Sequence, residues 1–214
     1  MLSLRNICID LGPQHLVRDL TLEVAPGEVV TIMGPSGAGK SALLSLIGGE
    51  LEPAFSASGD VTLNGKSMNA VRPEHRRIVR LFQDDLLFPH MTVGENLLFA
   101  IPNGPRAERL AQMHQALQRA ELEGHAHRAP HTLSGGQRAR VALMRALLAK
   151  PDAILLDEPF SKLDADLRKS IRNYTYAHIT ARAIPALLVT HDPDDAPPGG
   201  RVLHLLPGGL FRHA

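Results

Sequence analysis

The 214-residue chain has no tryptophan, two tyrosines and six phenylalanines, an aromatic content of 4%. Proteins that hold single-stranded nucleic acid stack its bases on exposed rings, so this scarcity argues against that class. An excess of charge of one sign is also missing: 23 Lys and Arg face 22 Asp and Glu, for a net charge of +1. No broad field exists to recruit DNA, RNA or an anionic membrane surface, and nucleic acid is not expected as a partner. The single cysteine, Cys8, excludes an internal disulfide and a multi-cysteine zinc site, and fits a reducing compartment. On an N-terminal strand it is expected to act as a small core hydrophobe. Arg5 and Asp10 stand where a cleaved signal would need an apolar run. Apolar stretches such as 183–189 fall far short of the about 20 residues of a membrane span. What is present, 44% hydrophobic and 21% charged residues, suits a folded domain with a substantial core.

The order of elements reads as α/β. Leu20, Leu22 and Val24 alternate as a half-buried strand does, and Pro26-Gly27 turns the chain into an apolar run over 28–33. Glycines at 34, 37 and 39 follow, then a helical face of Leu43, Leu44 and Ile47 that stops at Gly48-Gly49. Residues 61–63, with Asn64-Gly65, predict a hairpin, and 78–82 a short strand ending at Gln83. From 84 to 150 the pattern is helical, with Leu110, Met113 and Leu117 on one face of 107–121, and Val141, Met144 and Leu148 on one face of 135–149. Residues 153–156 and 186–190 read as buried parallel strands, 164–180 as a helix, and 202–206 with Pro207-Gly208-Gly209 as a terminal hairpin. The expected organisation is one domain: an α/β core from 1–83 and 151–214, interrupted by a helical insert at 84–150.

Gly34-Pro35-Ser36-Gly37-Ala38-Gly39-Lys40-Ser41 matches the phosphate-loop pattern between a strand and a helix. Its backbone N–H groups can converge on one anion, with the helix dipole behind them. Lys40 suits β- and γ-phosphate oxygens, and the Ser41 hydroxyl suits Mg²⁺. Asp157, at the C-terminal end of an apolar strand, suits the metal through its water shell, and Glu158 suits polarising an attacking water. Ser134, Gly135, Gly136 and Gln137 open another helix, either as a second anion site or as a helix cap. One nucleotide rarely needs two such helix starts from one chain. A homodimer in which each copy completes the other's site resolves this.

Together these segments resemble the ATP-binding-cassette (ABC) ATPases over nearly the whole chain. Residues 34–41 resemble the Walker A motif, Leu133 to Gln137 the signature and Ala153 to Glu158 the Walker B motif. Gln83 resembles the Q-loop glutamine, Ser161 to Asp164 the D-loop, and His191 the H-switch. The resemblance implies a P-loop NTPase fold: a RecA-like core with an N-terminal antiparallel β subdomain and an inserted α-helical subdomain. It implies ATP and Mg²⁺ as cofactors, with Ser41, Gln83 and Asp157 at the metal and Glu158, His191 and Gln83 serving hydrolysis. Residues 34–41 of one copy, and Ser134, Gly135, Gly136, Gln137 and Asp164 of the other, would enclose the nucleotide.

The segment from Gln83 to Asn96 resembles importer ATPases that serve thiamine, polyamines, sulfate and molybdate. Leu86, Leu87, Phe88 and Met91 would then receive a membrane permease subunit, with a substrate-binding protein completing the transporter. The expected location is the cytoplasmic side of the bacterial inner membrane, as a peripheral subunit. An exporter subunit and a soluble non-transport cassette are the alternatives. Three departures stand out. Leu11 falls where relatives carry an aromatic against adenine, which predicts tolerance of GTP. Lys162 replaces a small D-loop residue and is expected to be solvated, with a phosphate or an acidic neighbour as the alternatives within its reach. Pro197-Pro198-Gly199-Gly200 forbids the helix that usually follows the H-switch, and no regulatory domain is expected beyond the cassette. His125, His127 and His131, with no acid or cysteine interleaved, read as solvated surface.

Overall fold

Alternation marks β2 of one sheet of this protein, and mainly apolar runs mark the central strands of the other. The computed structural model describes residues 1–213, with the side chains of Asp166 and His213 outside the described set. Strands β1 (Leu2–Leu11), β2 (Gln14–Val24), β4 (Phe55–Leu63) and β5 (Lys66–Ser67) form an antiparallel sheet in the order β2-β1-β4-β5. On β2, Leu20, Leu22 and Val24 are buried while Thr21 and Glu23 are exposed, as period-two patterning requires. β4 begins at Phe55, earlier than the hairpin read from residue 61. Its first six residues are mostly polar and show no alternation. Pairing with β1, from Leu11↔Phe55 to Leu2↔Leu63, makes them a strand. Cys8 is only half-buried, and its Sγ accepts a hydrogen bond from the Asp19 N–H at 3.3 Å, so it is less of a core residue than expected.

The second sheet contains β3 (Val29–Met33), β6 (Ile78–Leu81), β7 (Ala153–Asp157), β8 (Ala186–Val189), β9 (Val202–Leu205) and β10 (Phe211–His213), in the order β10-β9-β3-β8-β7-β6. Every residue of β3, β7 and β8 is buried, which explains their mainly apolar sequences, with Thr31 and Asp157 the polar exceptions. Helix α1 (Lys40–Gly48) inserts Leu43, Leu44 and Ile47 into the same core as Ile9, Val24, Ile32, Leu155 and Leu187. After β8 the chain makes only a 3₁₀ turn at Pro193–Asp195, and the Pro-Pro-Gly-Gly segment continues without a helix.

Two arginines flank the β6–β7 side of this sheet. Arg80 Nη2 donates to Asp157 Oδ2 at 2.9 Å, and Arg80 Nη1 donates to Ser45 Oγ. The Arg80 and Asp157 side chains are each 8% exposed. Arg77 donates to Asp152 at 2.7 Å, but that pair stands at 66% and 40% exposure.

These elements belong to one compact unit, residues 1–80, 152–158 and 179 onward; residues 81–151 and 159–178 form another. The second unit contains more than the expected insert, because the segment 159–178 clusters with it. Its helices are α2 (Val93–Ala100), α3 (Arg106–Arg119), α4 (Gly135–Leu148) and most of α5 (Ala165–Ala181). Met113 and Leu117 of α3 and Val141 and Met144 of α4 are buried, as their helical spacing predicts. Asn96 of α2 is fully buried and organises the segment before its own helix. Its Oδ1 accepts from the Phe88 N–H at 2.8 Å, and its Nδ2 donates to the carbonyls of Phe88, Met91 and Thr92. Among the described residues no helix is long and apolar enough to cross a membrane.

These buried polar groups set the expected cost of removing them. Asn96→Leu strands the Phe88 N–H and takes the amide donor from the Met91 carbonyl, while the Phe88 and Thr92 carbonyls keep the backbone N–H groups of Met91 and of residue 96; it should lower unfolding free energy by about 2–3 kcal/mol in urea titrations. Arg80→Met leaves a buried carboxylate unpaired and should cost about 3 kcal/mol. Arg77→Met breaks an exposed pair and should cost under about 1 kcal/mol. Equal losses for the two arginine variants would contradict the role assigned to burial.

Candidate active site at the ends of three parallel strands

Strand register brings the candidate residues of the first unit together. In the parallel ladder Ile32 is opposite Val189, and Val189 is opposite Asp157. One row of the sheet therefore leads to three chain exits on one edge: Gly34–Ser41 after β3, Thr190-His191 after β8, and Asp157-Glu158 at the end of β7. Carboxyl ends of parallel strands are where such folds bind ligands.

The loop after β3 reaches α1 through Gly39, which has φ of 105°. A Cβ there would lie 2.8 Å from Leu16 Cβ, so the chain can pass only as glycine. Helix α1 has no side-chain cap and no acidic residue in its first turn. Its leading N–H groups are therefore available to an anion. Lys40 is 8% exposed, and its ammonium donates to the carbonyls of Gly34 and Pro35, both at 2.8 Å. Burial pushes its pKa below the usual lysine value, while the nearby carboxylates of Glu158 and Asp157 push it up. Ser41, in the first turn of α1, is exposed.

Asp157 is buried, with Oδ2 held by Arg80. Glu158 has φ of 51°, a left-handed conformation that strains a residue with a Cβ. Its N–H donates to the Val189 carbonyl at 2.9 Å, and its carboxylate lies 2.8 Å from His191 Nδ1. Strain is held here by a backbone bond on one side and an imidazole on the other. The Ser41 hydroxyl and the Asp157 carboxylate are the hard oxygen donors that Mg²⁺ takes.

The second unit contains the remaining candidates. Ser134 caps α4: its Oγ accepts from the Gln137 N–H at 3.2 Å, and Gln137 Oε1 accepts from the Ser134 N–H at 2.9 Å. Both alternatives for this motif therefore bear on it, since the cap is formed while the N–H groups of Gly135 and Gly136 keep no intrahelical partner. A Cβ at Gly136 would stand 3.0 Å from the Lys162 carbonyl, so the residue's smallness lets the 161–164 segment approach α4. Asp164 is exposed and caps α5 by accepting from the Leu167 N–H at 3.1 Å. Gln83 is exposed on a bend. Lys162 is not simply solvated: its ammonium lies 3.6 Å from Asp84 and 3.7 Å from Asp85, and Arg138 of α4 donates to Asp85 at 3.0 Å. These charges tie the stretch after Gln83 to the 161–164 segment and to the start of α4. His125 Nδ1 lies 3.0 Å from the Glu123 carbonyl, and among the described residues no group of three or more His, Cys, Asp or Glu is placed to hold a metal ion.

Two residues escaped the sequence reading. Arg80 is a charge inside a short strand read simply as apolar, and that anomaly was the available signal. Phe55 is one of few aromatics in the chain, and it lines a cleft with the phosphate loop.

Comparison with known proteins agrees with this geometry. The family model described as ABC transporter matches residues 17–161. An Escherichia coli K12 protein named as an uncharacterized ABC transporter ATP-binding protein, YnjD, is 46% identical over 96% of this chain and 95% of its own length. The sulfate/thiosulfate import ATP-binding protein CysA of Gloeobacter violaceus is 40% identical over 89% of this chain. The spermidine/putrescine import ATP-binding protein PotA of Nitratidesulfovibrio vulgaris is 39% identical over 92%. The chain spans only about half the length of these two import proteins, 55% and 53%. Among solved structures, the dimeric cassette MJ0796 in a post-hydrolysis state with ADP and Pi superposes with a TM-score of 0.85 at 31% identity. That match covers 100% of this chain and 98% of the other. By this family match and these relatives, the chain belongs to the ATP-binding cassettes of the ABC transporter family, P-loop ATPases.

Proposed function

We propose that the protein is the energy-coupling subunit of a bacterial importer, working as a homodimer on the cytoplasmic face of the inner membrane. The observation that carries the catalytic half of this reading is the shared edge of β3, β8 and β7. Lys40, Asp157, Glu158 and His191 all emerge from it. The loop and α1 would hold the β- and γ-phosphates of ATP, with Lys40 transferring its hydrogen bonds from loop carbonyls to phosphate oxygens. Ser41 and Asp157 would hold Mg²⁺, which neutralises phosphate charge. Glu158 would accept the proton of a water attacking the γ-phosphorus as the bond to the departing ADP oxygen breaks. His191, already against the Glu158 carboxylate, would orient that base and meet the γ-phosphate.

The partner copy would supply Ser134, Gly135, Gly136, Gln137 and Asp164, and the dimeric form of the similar cassette supports this reading. Gln83 would report the nucleotide state to the permease. Beyond Gln83, Leu86 and Phe99 are 57% and 64% exposed. Phe88 packs edge-on against Phe99 at 4.9 Å, with the Arg145 guanidinium over its ring. Exposed apolar groups backed by a fixed aromatic suit a short helix of a membrane subunit. The names of the import relatives favour uptake, with a substrate-binding protein completing the system.

Glu158→Gln should keep ATP affinity and lower turnover at least about 100-fold, trapping a dimer measurable by size-exclusion with ATP. Near-normal hydrolysis would remove Glu158 as the base. Lys40→Ala should instead weaken nucleotide binding itself, read by calorimetry. After gentle membrane extraction the protein should co-purify with an integral permease, and Phe99→Asp should reduce that recovery. Recovery with soluble proteins only would contradict the transport assignment.

A further inference from the structure

The phosphate loop opens on one side into a cleft of about 260 Å³, lined by Leu11, Leu16 and Phe55 opposite Gly37, Lys40 and Ser41. The lining is mainly apolar, and its side chains carry no carboxylate. A nucleotide held by its phosphates on the loop must place its base nearby, and this cleft is continuous with the loop residues. The end of β1 supplies Leu11, which packs without presenting a ring face. Directly across the ladder, however, Leu11 pairs with Phe55 at the start of β4. Phe55 is half-buried, packed on one side against the core, and is the aromatic residue of this lining.

We infer that Phe55 is the base-stacking residue of the nucleotide site, with β4 supplying the ring that β1 lacks. The inference rests on the reading of residues 34–41 as the triphosphate site. One face of the ring is anchored by the core, so a base meets a fixed platform and little side-chain entropy is lost on stacking. Stacking on a hydrocarbon ring is tolerant of base identity, since every base has a π face. ATP and GTP should therefore bind with similar affinity, as Leu11 already suggested.

The test separates base from phosphate. Phe55→Ala should weaken ATP and GTP about tenfold or more, measured by calorimetry on the full chain, and leave inorganic tripolyphosphate binding unchanged. Retained tripolyphosphate binding also shows that the loop is intact in the variant. The wild-type chain has no tryptophan, so Phe55→Trp places a single reporter in the cleft. Its emission should be quenched by ATP and GTP but not by tripolyphosphate, and ATP affinity should be kept or raised. Unchanged ATP affinity in Phe55→Ala, or indole emission in Phe55→Trp that is indifferent to bound ATP, would overturn the assignment. If the wild-type protein bound neither ATP nor tripolyphosphate, the phosphate-loop reading itself would fall.

Discussion

The parallel pairing of β3, β8 and β7 is the constraint on which the chemistry depends. Register sets Ile32, Val189 and Asp157 in one row, and the residues that follow each strand emerge side by side. A slip of one residue in β7 would turn Asp157 to the opposite face of the sheet and carry Glu158 out of line with His191. Such a slip is opposed by the burial of every side chain on these three strands. The apolar core is thus a positioning device: it fixes the heights at which a lysine, two carboxylates and an imidazole leave the sheet.

The site concentrates costs that a structural loop would avoid. Lys40 is a buried ammonium, and burial alone pushes its pKa down. Glu158 adopts a left-handed backbone that a glycine would take more readily. Arg80 and Asp157 form a buried ion pair, and such pairs are seldom net stabilising. Each cost is offset locally, by loop carbonyls for Lys40, by Val189 and His191 for Glu158, and by Ser45 for Arg80. Local rules broken together at one edge of a well-packed sheet are the physical mark of a functional site.

What could be read from the sequence follows the range of each interaction. The phosphate loop, the apolar strands and the cap at 134 are local in the chain, so residue order alone exposes them. The half-strand 55–60 has no pattern of its own and exists through pairing with β1, so it stayed hidden, and Phe55 with it. For Lys162 an acidic neighbour was only the alternative to solvent, because its partners lie far back in the chain, at 84 and 85. Arg80 was visible as a letter but not as a role, since its partner is fixed by strand order. Segment 159–178 reads as a core helix by its position after β7, yet it clusters with the helical unit.

Two helix starts of different chemistry share this chain. Helix α1 begins with no side-chain cap and a buried lysine among its loop carbonyls, so its free N–H groups and the ammonium are the stronger anion donors of the two. Helix α4 begins with a closed capping box, in which Ser134 and Gln137 satisfy each other and leave only the donors of Gly135 and Gly136. A half-satisfied helix start attracts an anion weakly when alone, because its dipole is screened by solvent. It contributes most when the phosphate is already fixed by another surface and water is excluded. In the proposed dimer, a strong site and a weak complement on one chain would favour assembly only when nucleotide is present. That dependence is what a subunit needs if binding and hydrolysis are to close and reopen a pair of copies.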